Sequence, residues 1–198
     1  MKKINLTLIL VLSLFCIASQ ALGQGARTNR ELRKLITEFH DAERVLNSEK
    51  MKVLLDDDFK GTTSSGYGTA TFSKSQIVGE DLGDKVEILR KVLSNVVTSN
   101  KISPLLIKGG RNTAQLKYSL TLRMQLKAPD TAETFKYLER FEIKGTAIRK
   151  NGKWQLKTLD KKVPTHKIAD DEITENLNFG IMLVALVLEE EKRRGTNP

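Results

Sequence analysis

The chain is almost without cysteine and histidine. Cys16 is the only cysteine among 198 residues, and it lies in a segment that we expect to be removed. A mature chain without cysteine excludes disulfide bonds, thiolate nucleophiles and cysteine-bound zinc or iron–sulfur clusters. His40 and His166 are the only histidines, so a histidine-built metal site is not expected. No glycine-rich loop ends in the Lys-Ser/Thr pair that holds phosphate, and the sequence therefore predicts no metal and no cofactor.

The N-terminus has the pattern of an exported protein. Lys2 and Lys3 precede a mostly apolar stretch at residues 4–19, and Ala21-Leu22-Gly23 offers small residues at the two positions that a signal peptidase reads. This pattern predicts a signal peptide over residues 1–23, cleavage after residue 23, and a secreted or periplasmic protein. An uncleaved membrane anchor is the alternative, although the apolar run is shorter than the roughly 20 residues that a membrane-spanning helix needs.

Positive charge is concentrated in one part of the chain. Loss of Lys2 and Lys3 would leave a net charge of +7, and residues 108–167 hold 15 Lys/Arg against 5 Asp/Glu. Export argues against nucleic acid as the partner of this basic region, so an anionic component of the cell envelope is the better expectation. Simple solubility is the alternative explanation.

Apolar residues at three- and four-residue spacing predict helices in the first half of the chain. The longest stripe runs from Leu32 to Leu46, and Thr28 with Glu31 forms a capping-box pattern ahead of it. A stretch rich in Gly, Ser and Thr at residues 59–72 interrupts the helical pattern and suits a short strand and loop. The expected helical segments are residues 28–48, 73–77 and 82–98, and residues 49–55 suit a short helix or a turn.

In the second half the apolar spacing changes to two, which predicts long β-strands. Residues 114–126 alternate between apolar and polar side chains, so one face of this strand is buried and the other is solvated. Residues 135–149 predict the next strand. Asn151-Gly152 is a preferred two-residue hairpin turn, and a further strand begins at Trp154.

The last helix differs from the others. Residues 173–194 predict a helix whose middle, residues 179–188, is apolar nearly all round. This stretch is too short to span a bilayer, and apolar residues on every side need burial on several sides. Packing on its own domain is one interpretation, and docking of a partner or a second copy is the other. The second interpretation assigns the contact to Ile181, Val184 and Leu188.

Three short motifs follow one another along the chain. They are Leu54–Phe59 with Gly66 and Ser73–Ile77, then Gly110–Ala114, and finally Phe141–Ala147 with Asn151–Leu156. Their order resembles the nuclear transport factor 2-like superfamily, in particular its polyketide-cyclase-like and ketosteroid-isomerase-like bacterial members. The resemblance implies an α+β cone, in which a curved antiparallel sheet of long strands wraps around the N-terminal helix. The resemblance covers about residues 28–163, which predicts a cone domain at residues 24–165. The last helix lies outside the match, so residues 166–198 are expected to form a C-terminal helical extension.

In that superfamily the apolar sheet face and the first helix enclose a pocket. The resemblance therefore implies a site for a small apolar or amphipathic ligand. A filled core is the alternative, because aromatic side chains on an inward face are ordinary core residues. The expected pocket residues are Phe39, His40, Leu116, Tyr118, Leu120, Met124, Phe141 and Trp154.

Enzymes of the superfamily move a proton with an Asp or an Asp–His pair inside the cone. The sequence offers no clear equivalent, because the inward positions of the long strand are apolar apart from the Tyr118 hydroxyl. His40 beside Phe39 is more typical of a boundary residue, and Asp56–Asp58 is typical of solvated carboxylates. The catalytic residues are therefore unknown. A non-enzymatic role, in which the cone binds a small ligand or a partner protein, is preferred over an isomerase, cyclase or dehydratase.

Two surfaces complete the functional hypotheses. One is the outer face of the sheet, which we expect to meet an anionic partner or simply to be solvated. The other is the last helix, which we expect to act as an interaction module or to form a homodimer. The expected residues of the outer face are Lys117, Arg123, Lys127, Arg140 and Lys144.

Overall fold

The computed structural model describes residues 5–65, 68–80, 83, 85–127, 133–164 and 170–195. For residues 5–24, 104, 170–171 and 195 only the backbone is described. The side chains of the predicted signal peptide therefore lie outside the described residues, as do the Pro129-Asp130 loop and His166. Among the described residues, no helix is long and apolar enough to cross a membrane.

Five helices and six strands lie within the described ranges. The helices are α1 (Asn5–Arg44), α2 (Ser48–Leu54), α3 (Lys74–Ile77), α4 (Lys85–Leu93) and α5 (Asp170–Gly195). The strands are β1 (Leu55–Ser65), β2 (Gly68–Ser73), β3 (Val96–Gly109), β4 (Thr113–Lys127), β5 (Thr134–Lys150) and β6 (Lys153–Lys162).

The strands form one curved, unclosed sheet in the order β2-β1-β6-β5-β4-β3. All neighbours are antiparallel except β1 and β6, which pair in parallel. The α+β class with an N-terminal helix and an additional C-terminal helix is confirmed. The sheet is mixed rather than purely antiparallel, because the first strand pairs with the last strand of the chain and not only with its own hairpin partner.

The short helices begin where side-chain caps are available. Asn47 accepts a hydrogen bond from the backbone N–H of Lys50 at the start of α2, and Ser73 and Gln76 form a capping box at α3. These caps satisfy backbone donors that have no partner within the first turn. Helix α2 therefore confirms the helical alternative for residues 49–55, and α3 confirms the predicted helical segment at residues 73–77.

Helix α4 is shorter than the pattern predicts. The expected segment was 82–98, but the helix ends at Leu93 and β3 begins at Val96, which pairs with Leu126 of β4. The β-branched run from Val96 to Thr98 explains the difference, because such side chains fit a pleated strand better than a helix.

The β5–β6 hairpin sets the direction of the last strand's side chains. Asn151 and Gly152 have φ angles of 50° and 78°, as the predicted two-residue turn requires. The register then shifts: Thr146 pairs with Thr158, whereas Ala147 pairs with Leu156. This bulge inserts one extra residue into β6, so the side chains that follow it reverse the faces expected from simple alternation.

The apolar core lies between α1 and the inner face of the sheet. Its fully buried members include Leu32, Ile36 and Phe39 of α1 and Ile143 and Leu156 of the sheet. A second, smaller cluster lies on the same inner face, further along β3, β4 and β5, where α5 covers it. That cluster comprises Val96, Leu126 and Phe179, with Leu93, Met124, Phe135, Tyr137, Met182, Leu183 and Leu186 packed against it.

Candidate functional site

A chain of polar groups runs from the core to the end of α1. His40 lies on the inner face of α1, and its Nε2 is 2.8 Å from the Tyr118 hydroxyl of β4. Its Nδ1 is 3.0 Å from a carboxylate oxygen of Glu43, one turn further along α1. The Lys161 ammonium of β6 pairs with the other oxygen of that carboxylate. Four polar side chains from α1, β4 and β6 are thus connected inside the cone.

The Glu43 carboxylate fixes which nitrogen of His40 donates to it. Burial alone would raise the pKa of Glu43, but Lys161 and the hydrogen bond from His40 outweigh burial and lower it to about 2. Burial and the Glu43 charge raise the pKa of Tyr118. An ionised carboxylate only accepts hydrogen bonds, so His40 Nδ1 donates to Glu43. Nε2 is the nitrogen that bonds the Tyr118 hydroxyl, so both ring nitrogens of His40 have a partner.

The polar chain ends at a cleft of about 300 Å³. We name it the hairpin cleft, because it lies between the end of α1, the β1–β2 hairpin, α3 and β6. Its volume is at the lower end of the range for small-molecule sites. Its lining residues are Glu43, Leu46, Phe59, Gly61, Thr62, Thr63, Phe72, Gln76, Ile77, Leu159 and Lys161.

The hairpin cleft is lined by both apolar and charged side chains. Phe59, Phe72 and Leu159 contribute aromatic and aliphatic groups, and Glu43 and Lys161 contribute an ion pair. The Lys161 ammonium is also 6.0 Å from the centre of the Phe141 ring. Gly61 contributes to the open space, since a Cβ there would lie 3.2 Å from the Phe59 ring. The arrangement suits a molecule with an apolar body and one polar end.

Most of the expected pocket residues pack in the first core cluster rather than line the hairpin cleft. Phe39, His40, Leu116, Tyr118, Leu120 and Trp154 are buried, and Phe141 packs against their cluster. Met124 lies apart from them, under α5. A role of these residues in ligand contact stays a prediction, and His40 and Tyr118 reach the cleft only through Glu43.

Sequence reasoning missed Glu43 and Lys161. Glu43 follows His40 by three residues on one face of α1, so helical spacing could have found the pair. Lys161 was hidden by the β6 bulge, because alternation from Trp154 and Leu156 points residue 160 inward and residue 161 outward. The register shift reverses this order, and Leu159 and Lys161 contact the cone interior instead.

The basic residues expected on the outer sheet face lie there. Lys117 pairs with Lys144 across β4 and β5, and Thr121 pairs with Arg140 in the same ladder. Around the first pair is a groove of about 540 Å³ that Lys108 and Gly145 also line. Arg140 forms an ion pair with Glu172 of α5. Binding of an anionic partner at Lys117, Arg123, Lys127, Arg140 and Lys144 stays a prediction.

Within the described parts of the chain, no group of three or more His, Cys, Asp or Glu side chains is placed to hold a metal ion. The acidic run at the start of β1 has lysine partners instead. Asp56 is buried against the Lys150 ammonium, and Asp57 is 2.8 Å from Lys74. Burial would raise the pKa of Asp56, but the bond and charge of Lys150, the hydrogen bond from the backbone N–H of Asp58 and the charge of Lys157 together outweigh burial and lower it.

Two solved structures have the same fold. A nuclear transport factor 2-like protein with a cystatin-like fold from Novosphingobium aromaticivorans matches with a TM-score of 0.52 and 15% identity, over 86% of this chain and 97% of that one. A Mycobacterium tuberculosis protein of unknown function matches with a TM-score of 0.51 and 10% identity, over 87% and 93% of the two chains. No protein-family model and no curated protein matches the sequence. The chain has the cystatin-like cone fold of the nuclear transport factor 2-like proteins, as its motifs predicted.

Proposed function

We propose that the chain binds a small amphipathic molecule in the hairpin cleft and does no chemistry on it. The observation that carries this proposal is that one cleft combines aromatic and aliphatic side chains with a lysine–glutamate ion pair. In the bound state, the apolar part of the molecule lies against Phe59 and Phe72, and its anionic or polar end lies beside Lys161. The N-terminal pattern supports the cell envelope or its exterior as the place of binding.

The protonation states support binding over catalysis. A general acid or base works best when its pKa lies near the pH of the reaction. Glu43, the carboxylate that lines the cleft, has a pKa of about 2, far below neutrality, so it is a weak base and no acid there. His40 and Tyr118 are buried and already bonded to each other.

A fluorescent pair of probes tests the site without knowledge of the natural ligand. The first is 1-anilinonaphthalene-8-sulfonate, which has an apolar body and one anionic group, and the second is N-phenyl-1-naphthylamine, which lacks the sulfonate. We expect Thr63→Phe, which fills the cleft, to weaken binding of both probes at least tenfold. Thr71→Phe is the matched control, because Thr71 lies on the other face of the same hairpin. Equal binding by both variants would contradict the proposal.

The ion pair of the cleft has its own test. The double variant Glu43→Gln/Lys161→Gln replaces an ion pair by a neutral pair of similar size. We expect it to lose the preference for the sulfonated probe and to keep its affinity for the uncharged one. A parallel measurement is native mass spectrometry of the purified protein, in which a co-purifying small molecule would identify the ligand class.

Acid–base catalysis is the second candidate function, and one observation favours it. Glu43, His40 and Tyr118 form a carboxylate–imidazole–hydroxyl chain, an order that activates hydroxyl groups in many enzymes. If a reaction is found, Tyr118→Phe should lower kcat by at least a hundredfold while probe affinity in the cleft is unchanged. An unchanged kcat would remove Tyr118 and this mechanism from consideration.

A further inference from the structure

Helix α5 presents apolar side chains on two opposite faces. One face carries Phe179, Leu183 and Leu186, which pack into the second core cluster. The other carries five side chains that are 50–61% exposed, and we name these the α5 stripe: Ile173, Leu177, Ile181, Val184 and Leu188. No charged residue occurs between positions 175 and 189. Contiguous exposed apolar surface of this kind marks an interaction site.

The spacing of the α5 stripe is that of a helix–helix seam. Leu177, Ile181, Val184 and Leu188 are separated by four, three and four residues, which is the spacing of the apolar positions in a coiled coil. The four side chains extend over about 17 Å of helix. Exposed apolar residues on other elements, such as Val53, Val97 and Leu106, do not form such a row.

We propose that the partner of the α5 stripe is α5 of a second copy of this chain, in antiparallel orientation. The separation 4-3-4 is the same in both directions, so a two-fold axis midway between Ile181 and Val184 superimposes these four positions of the stripe on one another. In this arrangement Leu177 meets Leu188 of the second copy, and Ile181 meets Val184. A two-fold contact requires this kind of self-complementary surface.

The ends of α5 fit the same orientation. The helix has Glu172 near its start and Lys192, Arg193 and Arg194 in its last turn, where Arg193 and Arg194 also pair with Glu189 and Glu190 of the preceding turn. An antiparallel pair places the acidic end of one helix beside the basic end of the other, whereas a parallel pair places like charges together. Gly180 beside the stripe has open space around its Cα, which lets a second helix approach closely.

A lipid surface fits the α5 stripe less well. Helices that lie on anionic membranes carry Lys or Arg on both sides of their apolar face. Here the nearest exposed charged side chains at the two ends of the stripe are Glu175 and Glu189, and positive charge begins only at Lys192. A membrane is therefore an outcome that the experiments below distinguish and not the occupant that we propose.

Sedimentation velocity of the full chain tests the dimer. We expect a dimer that dissociates on dilution, and we expect Val184→Glu to raise its dissociation constant at least tenfold. Val97→Glu is the matched control, because Val97 is 71% exposed on β3, and it should leave the dissociation constant unchanged. A monomer at all concentrations, or a dimer that Val184→Glu does not weaken, would overturn the proposal. Binding to anionic vesicles by such a monomer would assign the stripe to a membrane.

Cross-linking tests the orientation of the two helices. In a Cys16→Ser background, the chain has no other cysteine. Mixing Leu177→Cys with Leu188→Cys protein should give a rapid disulfide or short bismaleimide cross-link between the two, since antiparallel pairing brings these positions together. Leu177→Cys alone should not cross-link, because the two copies of residue 177 would be about 17 Å apart along the axis. A 177–177 cross-link, or none in the mixture, would overturn the proposal.

Discussion

Helices α1 and α5 cover the same inner face of the sheet, but their solvent-exposed faces differ in polarity. From Gly25 onward α1 is amphipathic: its stripe of Leu32, Ile36 and Phe39 is buried, and its exposed face carries charged residues such as Arg30 and Lys34. Helix α5 buries Phe179 and leaves an equally apolar stripe in solvent. A single copy of the domain therefore buries the apolar stripe of α1 from Gly25 onward, but it buries only one of the two apolar faces of α5.

The two helices also differ in how they are held. Helix α1 carries His40 and Glu43 of the polar chain. Their partners, Tyr118 and Lys161, lie on the sheet across the cone. Helix α5 is attached at the edge of β5, where β6 has already ended. There the Asn176 amide accepts from the backbone N–H of Leu138 at 2.8 Å and donates to its carbonyl at 2.9 Å. It replaces the hydrogen bonds of a missing neighbouring strand, which protects an exposed edge.

The largest expected difference concerns the two buried phenylalanines. Phe39→Ala should lower the free energy of unfolding by about 3–5 kcal/mol, because it leaves a cavity in the main core. Phe179→Ala should cost less, about 2 kcal/mol, because α5 covers a smaller cluster and can shift to fill the space. Urea unfolding measures both, with the exposed Val53→Ala as the control. Equal losses would show that α5 belongs to the main core.

The polar chain inside α1 gives the next largest effect. Glu43→Gln leaves the Lys161 ammonium without its carboxylate in a mostly buried position, which should cost about 2–3 kcal/mol of unfolding free energy. Glu49→Gln is the control, since Glu49 pairs with Lys52 in solvent and should matter by less than about 0.5 kcal/mol. If both variants unfold at the same urea concentration, the buried pair does not stabilise the cone.

Acid should weaken the same contact. The pKa of Glu43 falls from 4.5 in the unfolded chain to about 2 in the folded one. The folded state therefore gains stability from Glu43 above pH 4.5 and loses it as the pH falls from about 4.5 towards 2. The loss amounts to about 3 kcal/mol at most. Urea titrations at pH 6, 4 and 2.5 should show a steeper decline for the parent chain than for Glu43→Gln, and parallel declines would contradict the assignment.

The attachment of α5 to the sheet edge should have a moderate effect. Asn176→Ala removes both hydrogen bonds to Leu138 and should lower the unfolding free energy by about 1–2 kcal/mol. It should also speed hydrogen exchange in α5 more than in α1. Asn178→Ala is the matched control, because Asn178 lies on the exposed side of the same helix. Equal exchange in the two variants would exclude the amide as the attachment.

The α5 stripe should have the smallest effect on a single copy. Val184→Glu changes a side chain that makes little contact with its own domain, so the unfolding free energy of dilute protein should change by no more than about 0.5 kcal/mol. At high concentration the parent chain should be the more stable of the two, because dimerisation favours the folded state. A large loss in dilute solution would mean that the stripe packs within one chain.

Much of the fold could be predicted from the sequence, because local spacing carries it. The apolar stripe of α1, the alternation of β4 and the Asn151-Gly152 turn each depend on neighbours within a few residues. The parallel pairing of β1 with β6 could not be predicted in this way, since no local pattern shows which distant strand lies beside β1. The early end of α4 was missed because its apolar spacing continues into Val96 and Val97, where pairing with β4 decides the structure instead.

The candidate site was predicted less well than the fold. His40 and Tyr118 were expected near a pocket, and they lie side by side in the core. Lys161 was not expected, because a single extra residue in β6 reverses the alternation from which faces are deduced. The hairpin cleft combines residues from five elements, and their meeting depends on the mixed sheet that local spacing does not specify.

The parallel pairing of β1 and β6 has a consequence for the order of assembly. Leu55 of β1 lies beside Leu156 of β6, about a hundred positions later in the chain. During synthesis, α1, α2 and the β1–β2 hairpin are therefore completed well before β6, the neighbour of β1 in the sheet. Contacts between such distant residues form slowly, because a long loop must close first. A chain interrupted before residue 153 would keep one unpaired strand edge on β1 and another on β5, and it would be a target for proteases or for aggregation.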